Sequence, residues 1–241
     1  MTAVTPRYAV YFAPAPHSPW WEAGAHWLGR NERTDEPLLP DASLPFDTAA
    51  RAALTAEPRR YGFHATLKAP FRLGGGHSEE DLWARLRALA AGLAPVALGP
   101  LSVVALGDFV AWVPSAPPRE LADVATRCVI DLDDLRAPLT PPELARRRPE
   151  SLDARGRELL SLYGYPHVLE RFRLHFSLSG LVDAATAQRV IEAWTPRTAQ
   201  LNQAPLLLDR LCLFIETAPG QAFRRVGDAL LQAPAATGYE P

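Results

Sequence analysis

Two short segments of this 241-residue chain repeat one arrangement, an imidazole followed two positions later by a hydroxyl. Residues 60–71 (RYGFHATLKAPF) contain His64 and Thr66; residues 171–180 (RFRLHFSLSG) contain His175 and Ser177. Histidine ordinarily titrates near pH ~6.5, so one copy can act as a base and another as an acid at neutral pH. Two imidazoles on opposite flanks of a phosphodiester could take a proton from water and give one to the departing alkoxide. The hydroxyls would donate hydrogen bonds to the non-bridging oxygens, where charge builds up. One H-x-[ST] match arises readily by chance, and a buried strand histidine is the alternative for either segment alone. The pairing carries the reading, and His17, His26, His77 and His167 lack the spacing.

Both segments alternate apolar and polar residues, as a strand does when successive side chains point to opposite faces. The first predicts Tyr61, Phe63, Ala65 and Leu67 toward a core, with His64, Thr66 and Lys68 opposite. The second predicts Phe172, Leu174, Phe176 and Leu178 inward, with Arg173, His175, Ser177 and Ser179 opposite. Lys68 and Arg173 are thereby candidate anion-binding cations, or else solvated strand-edge charges. Arg60 shares the parity of His64 at the strand start, and Tyr11 could bring a hydroxyl from a neighbouring strand or pack in the core. Tyr165 and His167 lie just upstream of the second segment, at a possible entrance. The run Arg146-Arg147-Arg148 reads as a solvated helix face.

Other chemistries have less support. Neither segment carries a carboxylate, and H-x-H and H-E-x-x-H are missing, so no metal is expected. There is no G-x-S-x-G elbow for a serine nucleophile. Gly74-Gly75-Gly76 lacks the following G-K-[ST] of a phosphate loop and reads as a turn. The balance of 25 basic and 27 acidic side chains gives no broad footprint for duplex nucleic acid. Cys128 and Cys212 fit reduced thiols better than a disulfide framework. With no signal-like start and no apolar run of membrane-spanning length, a cytoplasmic protein is expected.

The elements that must position the histidines can be read along the chain. A first strand is predicted over residues 8–12, then a helix capped by Ser18 with Pro19 in its first turn and a stop at Gly29. A helix over 48–55 precedes the first histidine strand, and Ser78 caps another reaching Ala91. Strands over 101–105 and 109–114 flank a Gly107-Asp108 turn, and a helix follows over 118–131. Thr140 and Glu143 form a capping box for a short basic helix, and Ser151 opens one reaching Tyr163, giving a helical insert over about 138–164. After the second histidine strand, Asp183 caps a helix to Trp194, and residues 206–217 form a final central strand. The last residues, AATGYEP, read as a frayed tail. Strands alternating with capped helices make an α+β or α/β domain, and the 111 positions between His64 and His175 suggest an internal duplication.

At these residues the chain resembles the two-histidine (2H) phosphoesterase superfamily, whose signature is a pair of H-x-[ST] strands. The strings RRYGFHATLKAPF, LRAPLTPPELARRRP and GYPHVLERFRLHFSLSG resemble one branch, associated with phosphonate metabolism, over nearly the whole length. The resemblance implies a single bilobal α+β domain over 1–241, with two antiparallel sheets about a pseudo-two-fold axis enclosing a cleft. It implies metal-independent cyclic phosphodiesterase or related phosphoester chemistry; the expected activity is hydrolysis of a small phosphodiester, such as a cyclic sugar phosphate from phosphonate breakdown, with no cofactor. His64 and His175 would be the catalytic pair, and Thr66 and Ser177 the phosphate-binding hydroxyls. Processing of RNA 2′,3′-cyclic phosphate ends and non-catalytic binding of a phosphate ligand remain the alternatives.

Overall fold

The computed structural model describes residues 5–41 and 43–232; the expected frayed tail lies outside them. Strand β1 (Arg7–Phe12) leads into helix α1 (Pro19–Leu28), and α2 (Thr48–Arg59) precedes β2 (Ala65–Phe71). Helix α3 (Glu79–Ala91), short β3 (Val96–Ala97), the hairpin β4 (Leu101–Leu106) and β5 (Phe109–Pro114), and α4 (Arg119–Ile130) follow. The insert contains α5 (Pro141–Arg146) and α6 (Ala154–Tyr163). Then come β6 (Phe176–Ser177), α7 (Ala184–Leu201), β7 (Leu207–Leu208), β8 (Arg210–Glu216) and β9 (Arg224–Leu230).

This is an α+β fold with antiparallel sheets. One sheet has the order β2-β1-β8-β9, another the order β4-β5-β6, and β3 pairs with β7. Both histidine segments end up in strands at a sheet edge, β2 beside β1 and β6 beside β5, each antiparallel to its neighbour.

Local chemistry accounts for most boundaries. Ser18 Oγ accepts from Trp21 N, and Gly29 ends α1 in the left-handed conformation. Ser78 with Asp81, and Thr140 with Glu143, form capping boxes. Gly107 turns the β4–β5 hairpin at φ 66°.

Several expectations need correction. Helix α6 is capped by Asp153, whose Oδ1 accepts from Gly156 N, whereas Ser151 falls in the 3-10 turn Pro149–Ser151. Proline at 58 and at 196 does not end α2 or α7, because buried Thr55, Pro58, Thr198 and Leu201 keep both helices packed beyond the expected stops. The strand expected over 206–217 is divided between two sheets, and β9 lies outside it at the sheet edge. The second histidine strand shrinks to two residues, and the 3-10 turn Leu169–Arg171 occupies its expected start.

The core joins the two lobes beneath the histidines. Phe63, immediately before His64, stacks on Phe176, immediately after His175, with ring centroids 5.1 Å apart and planes at 23°. Phe12 meets Phe176 edge-on at 5.9 Å, and Trp112 meets Phe63 at 5.6 Å and Trp194 at 4.8 Å. Gly24 of α1 admits Phe63: a Cβ there would lie 2.2 Å from the ring. Alternation then forces the two imidazoles to the opposite side from this shared aromatic stack.

Candidate active site

His64 follows a turn that only glycine can make. Gly62 has φ +76°, and a Cβ on it would stand 2.4 Å from Glu32 Cβ. The same Gly62 presents its carbonyl to His64 Nδ1 at 2.9 Å. A carbonyl only accepts, so Nδ1 carries the proton and Nε2 is left with its lone pair free. His175 repeats the device, with Nδ1 2.8 Å from the Arg173 carbonyl, again two residues upstream. Thr66 Oγ1 lies 3.4 Å from His64 Nε2.

His64, His175, Thr66 and Ser177 line one cleft of about 540 Å³, within the usual range of about 300–1,000 Å³ for small-ligand pockets. Tyr11, Arg60 and Tyr165, singled out in the sequence, line it too. Tyr11 is buried and stacks on the His64 ring at 3.9 Å and 29°, so it forms the platform beneath the imidazole. Arg60 shares the buried Glu216 carboxylate with Arg7, a cleft residue the motif analysis missed because it precedes the first predicted strand.

Lys68 is not in this cleft. In β2 the register against β1 runs Thr66↔Tyr11 and then Lys68↔Val10, so a bulge inserts one extra residue between them. Regular pairing would have set Lys68 opposite Ala9, on the Tyr11 side; the bulge turns it to the core side with Val10. There it is 3% exposed, and its Nζ donates to the Val129 carbonyl at 2.9 Å and to Asp133 at 3.1 Å. After the bulge, Ala69 and Pro70 take up the cleft wall instead.

Arg173 is exposed and outside the cleft lining, contributing only its carbonyl, because the short β6 does not extend strand parity back to it. His167 is exposed beside Tyr165 and also falls outside the lining. Tyr61, expected in the core, forms cleft wall, since the Gly62 turn breaks the alternation before β2 begins. Arg146 and Arg147, expected on a solvated face, line the cleft. Among the described residues no three His, Cys, Asp or Glu side chains gather as a metal site, and no helix is long and apolar enough to cross a membrane. Cys128 and Cys212 are unpaired and buried, and burial pushes each thiol up to about 12.

Burial, with a smaller push from the nearby His175, lowers His64 to about 4, against an ordinary 6.5; the Gly62 hydrogen bond opposes the shift. His64 is therefore neutral at pH 7. Between about pH 4 and 6.5 the unfolded chain holds a proton at this residue that the folded chain does not. Stability should then rise with pH across that window and be lost as pH falls through it, by at most roughly 3 kcal/mol. Urea unfolding of the parent and His64→Asn at pH 4.5 and 7 checks this: the variant should lose that part of the dependence. Equal pH slopes in the two proteins would mean that folded His64 titrates normally.

Two antiparallel sheets, each with a histidine just before an edge strand and a hydroxyl within it, line one cleft and define the class: a two-lobed α+β protein with a paired-histidine site. That is the arrangement implied by the resemblance to the 2H superfamily. The chain belongs to the family described as "Protein of unknown function (DUF1045)", which matches residues 66–224. It is 41% identical over 221 residues to a Janthinobacterium sp. (strain Marseille) protein named "Ribose 1,5-bisphosphate phosphokinase PhnN", covering 90% of this chain and 49% of that one. A protein of the same name from Laribacter hongkongensis (strain HLHK9) is 39% identical over 221 residues, covering 90% and 50%. The chain thus spans about half the length of the curated relatives it matches. The crystal structure of E. coli LigT complexed with NADP+ aligns over 96% of this chain and 100% of that one, with 15% identity and a TM-score of 0.41.

Proposed function

We propose that the chain is a metal-independent phosphoesterase that opens a small cyclic phosphodiester, with a sugar phosphate as the favoured substrate class. The observation that carries the reading is the matched tethering of both histidines. Each Nδ1–H is committed to a carbonyl two residues upstream, which leaves both Nε2 atoms for the reaction in one cleft, that of His64 with the Thr66 hydroxyl beside it. His64, held neutral, is assigned as the base. Its Nε2 takes a proton from water as the water oxygen bonds to phosphorus, and the bond from phosphorus to the leaving oxygen breaks. His175, acting in its imidazolium form with a proton on Nε2 as well as on Nδ1, then gives that oxygen the Nε2 proton, so the ring opens to a phosphomonoester and a free hydroxyl. Thr66 and Ser177 donate to the non-bridging oxygens.

The kinase named for the longer relatives is assigned to the part of those proteins that this chain does not span. In this chain Gly74-Gly75-Gly76 runs into His77 and Ser78, with no lysine to reach a nucleotide phosphate. A diesterase joined to a sugar-phosphate kinase is consistent with consecutive steps on one phosphorylated sugar.

A panel of cyclic phosphodiesters, followed by ³¹P NMR with EDTA present, tests the proposal. Ring opening to a monoester at an undiminished rate is expected. Turnover that stops on chelation, or phosphate transfer from ATP by this chain alone, would displace it.

A further inference from the structure

We infer that the cleft holds a second anion subsite, built by Arg146 and Arg147 with Tyr165, which takes a separate phosphomonoester on the substrate. This rests on the phosphoesterase reading and narrows its substrate to a cyclic phosphodiester that bears another phosphate. The cations of the cleft divide into two kinds. Arg7 and Arg60 share the Glu216 carboxylate, so much of their charge is already answered. Arg146 and Arg147 face the same space with no carboxylate partner among the described residues.

These two arginines are held in place. Glu143 lies three residues before Arg146 on α5 and four before Arg147, which caps the end of that helix. It grips Arg72, the residue after β2, through both carboxylate oxygens, at 3.0 Å from Nε and 3.0 Å from Nη2. The Arg72 guanidinium and the Thr140 backbone and hydroxyl together hold Glu143 down at about 2, so the clamp stays charged at neutral pH. Glu143 is itself a cleft residue, and the clamp answers its negative charge, leaving the guanidinium groups beside it free for an anion. Arg147 lies over the Tyr165 ring at 4.8 Å, a cation–π contact that orders the side chain without neutralising it.

Carboxylates also line the cleft. Its two carboxylates without a cationic partner among the described residues, Glu57 and Asp108, border the turn at residues 180–182. Glu57 Cβ stands 3.4 Å from where a Gly180 Cβ would be, and the Asp108 carbonyl accepts from Val182 N. A second anionic group on the substrate is therefore directed to Arg146 and Arg147 rather than to that turn. Paired guanidinium groups suit a terminal phosphate, which they can grip with forked hydrogen bonds.

The test pairs binding with turnover, comparing the parent with an Arg146→Gln/Arg147→Gln double variant whose thermal unfolding is checked first. Calorimetry with ribose 5-phosphate should show binding weakened about 10- to 100-fold in the variant. Turnover is compared on adenosine 2′,3′-cyclic phosphate with and without a 5′-phosphate. The parent should prefer the 5′-phosphorylated form in kcat/KM, and the variant should lose most of that preference through KM. Unchanged ribose 5-phosphate affinity overturns the subsite. So do equal losses on both nucleotides, which would put the arginines on the reacting diester. No turnover of either nucleotide counts against the diesterase reading, while the calorimetry still decides the subsite.

Discussion

Alanine at His64 or at His175 is expected to lower kcat/KM for a cyclic phosphodiester by about 10²–10⁴-fold each, the usual worth of a positioned proton-transfer group. The two losses should not multiply. Proton removal from water and proton delivery to the leaving oxygen serve one bond exchange, so the double variant should be little worse than the poorer single one. The fold should survive, because neither imidazole belongs to the Phe63–Phe176 stack: His64 lies over Tyr11, and His175 faces Phe109 across 5.6 Å. The variants should also differ in pH dependence. With His64 lowered to about 4, the rising limb of kcat/KM for the free parent enzyme should fall near that value and vanish in His64→Ala. The falling limb, which requires the protonated acid, should vanish in His175→Ala. Steady-state rates across pH check both points. Parent-level turnover in either single variant would remove its histidine from the reaction.

Much of the candidate site was legible because a strand advertises its faces. The two H-x-[ST] pairs, the residues burying their backs, and the Ser18, Ser78 and Thr140 caps all follow from spacings of two, three or four residues. The parts that misled depend on interruptions of the repeat that one sequence does not mark. The bulge after Thr66 sends Lys68, the chain's single lysine, into the core. The Gly62 turn converts Tyr61 from core to cleft wall, and its glycine was the available signal. Arg146 and Arg147 were visible as charges, but a basic helix face reads as solvated unless its neighbour is known. That neighbour is reached through Arg72, 71 positions from Glu143. The shortness of β6 has a similar origin: parity predicted its buried residues, whereas pairing needs a partner strand, and within this segment only Phe176 and Ser177 are in register with β5, with Leu178 N and Ser179 N both donating to the Val110 carbonyl beyond them.

Convergence of the two histidines is expected to depend on the aromatic packing beneath them as well as on the short pairing of β6 with β5. Phe176→Ala should therefore be among the most damaging substitutions outside the cleft. Phe176 is fully buried between Phe63 and Phe12, and removing a ring from such a position costs about 3–5 kcal/mol, partly as transfer free energy and partly as the cavity left behind. Urea unfolding should show that loss as a lower midpoint with an unchanged slope. Leu162→Ala, at a side chain that is 52% exposed, should move the midpoint little and serves as the control. The kinetic consequence separates this role from simple instability. Under conditions where the variant is fully folded, His175 is carried by the residue next to the cavity, so turnover should fall while ribose 5-phosphate binding at α5 stays close to the parent value. Loss of less than about 1 kcal/mol would show that the lobes are held together elsewhere. Undiminished turnover in the folded variant would show that β6 sets the position of His175 without its aromatic neighbour.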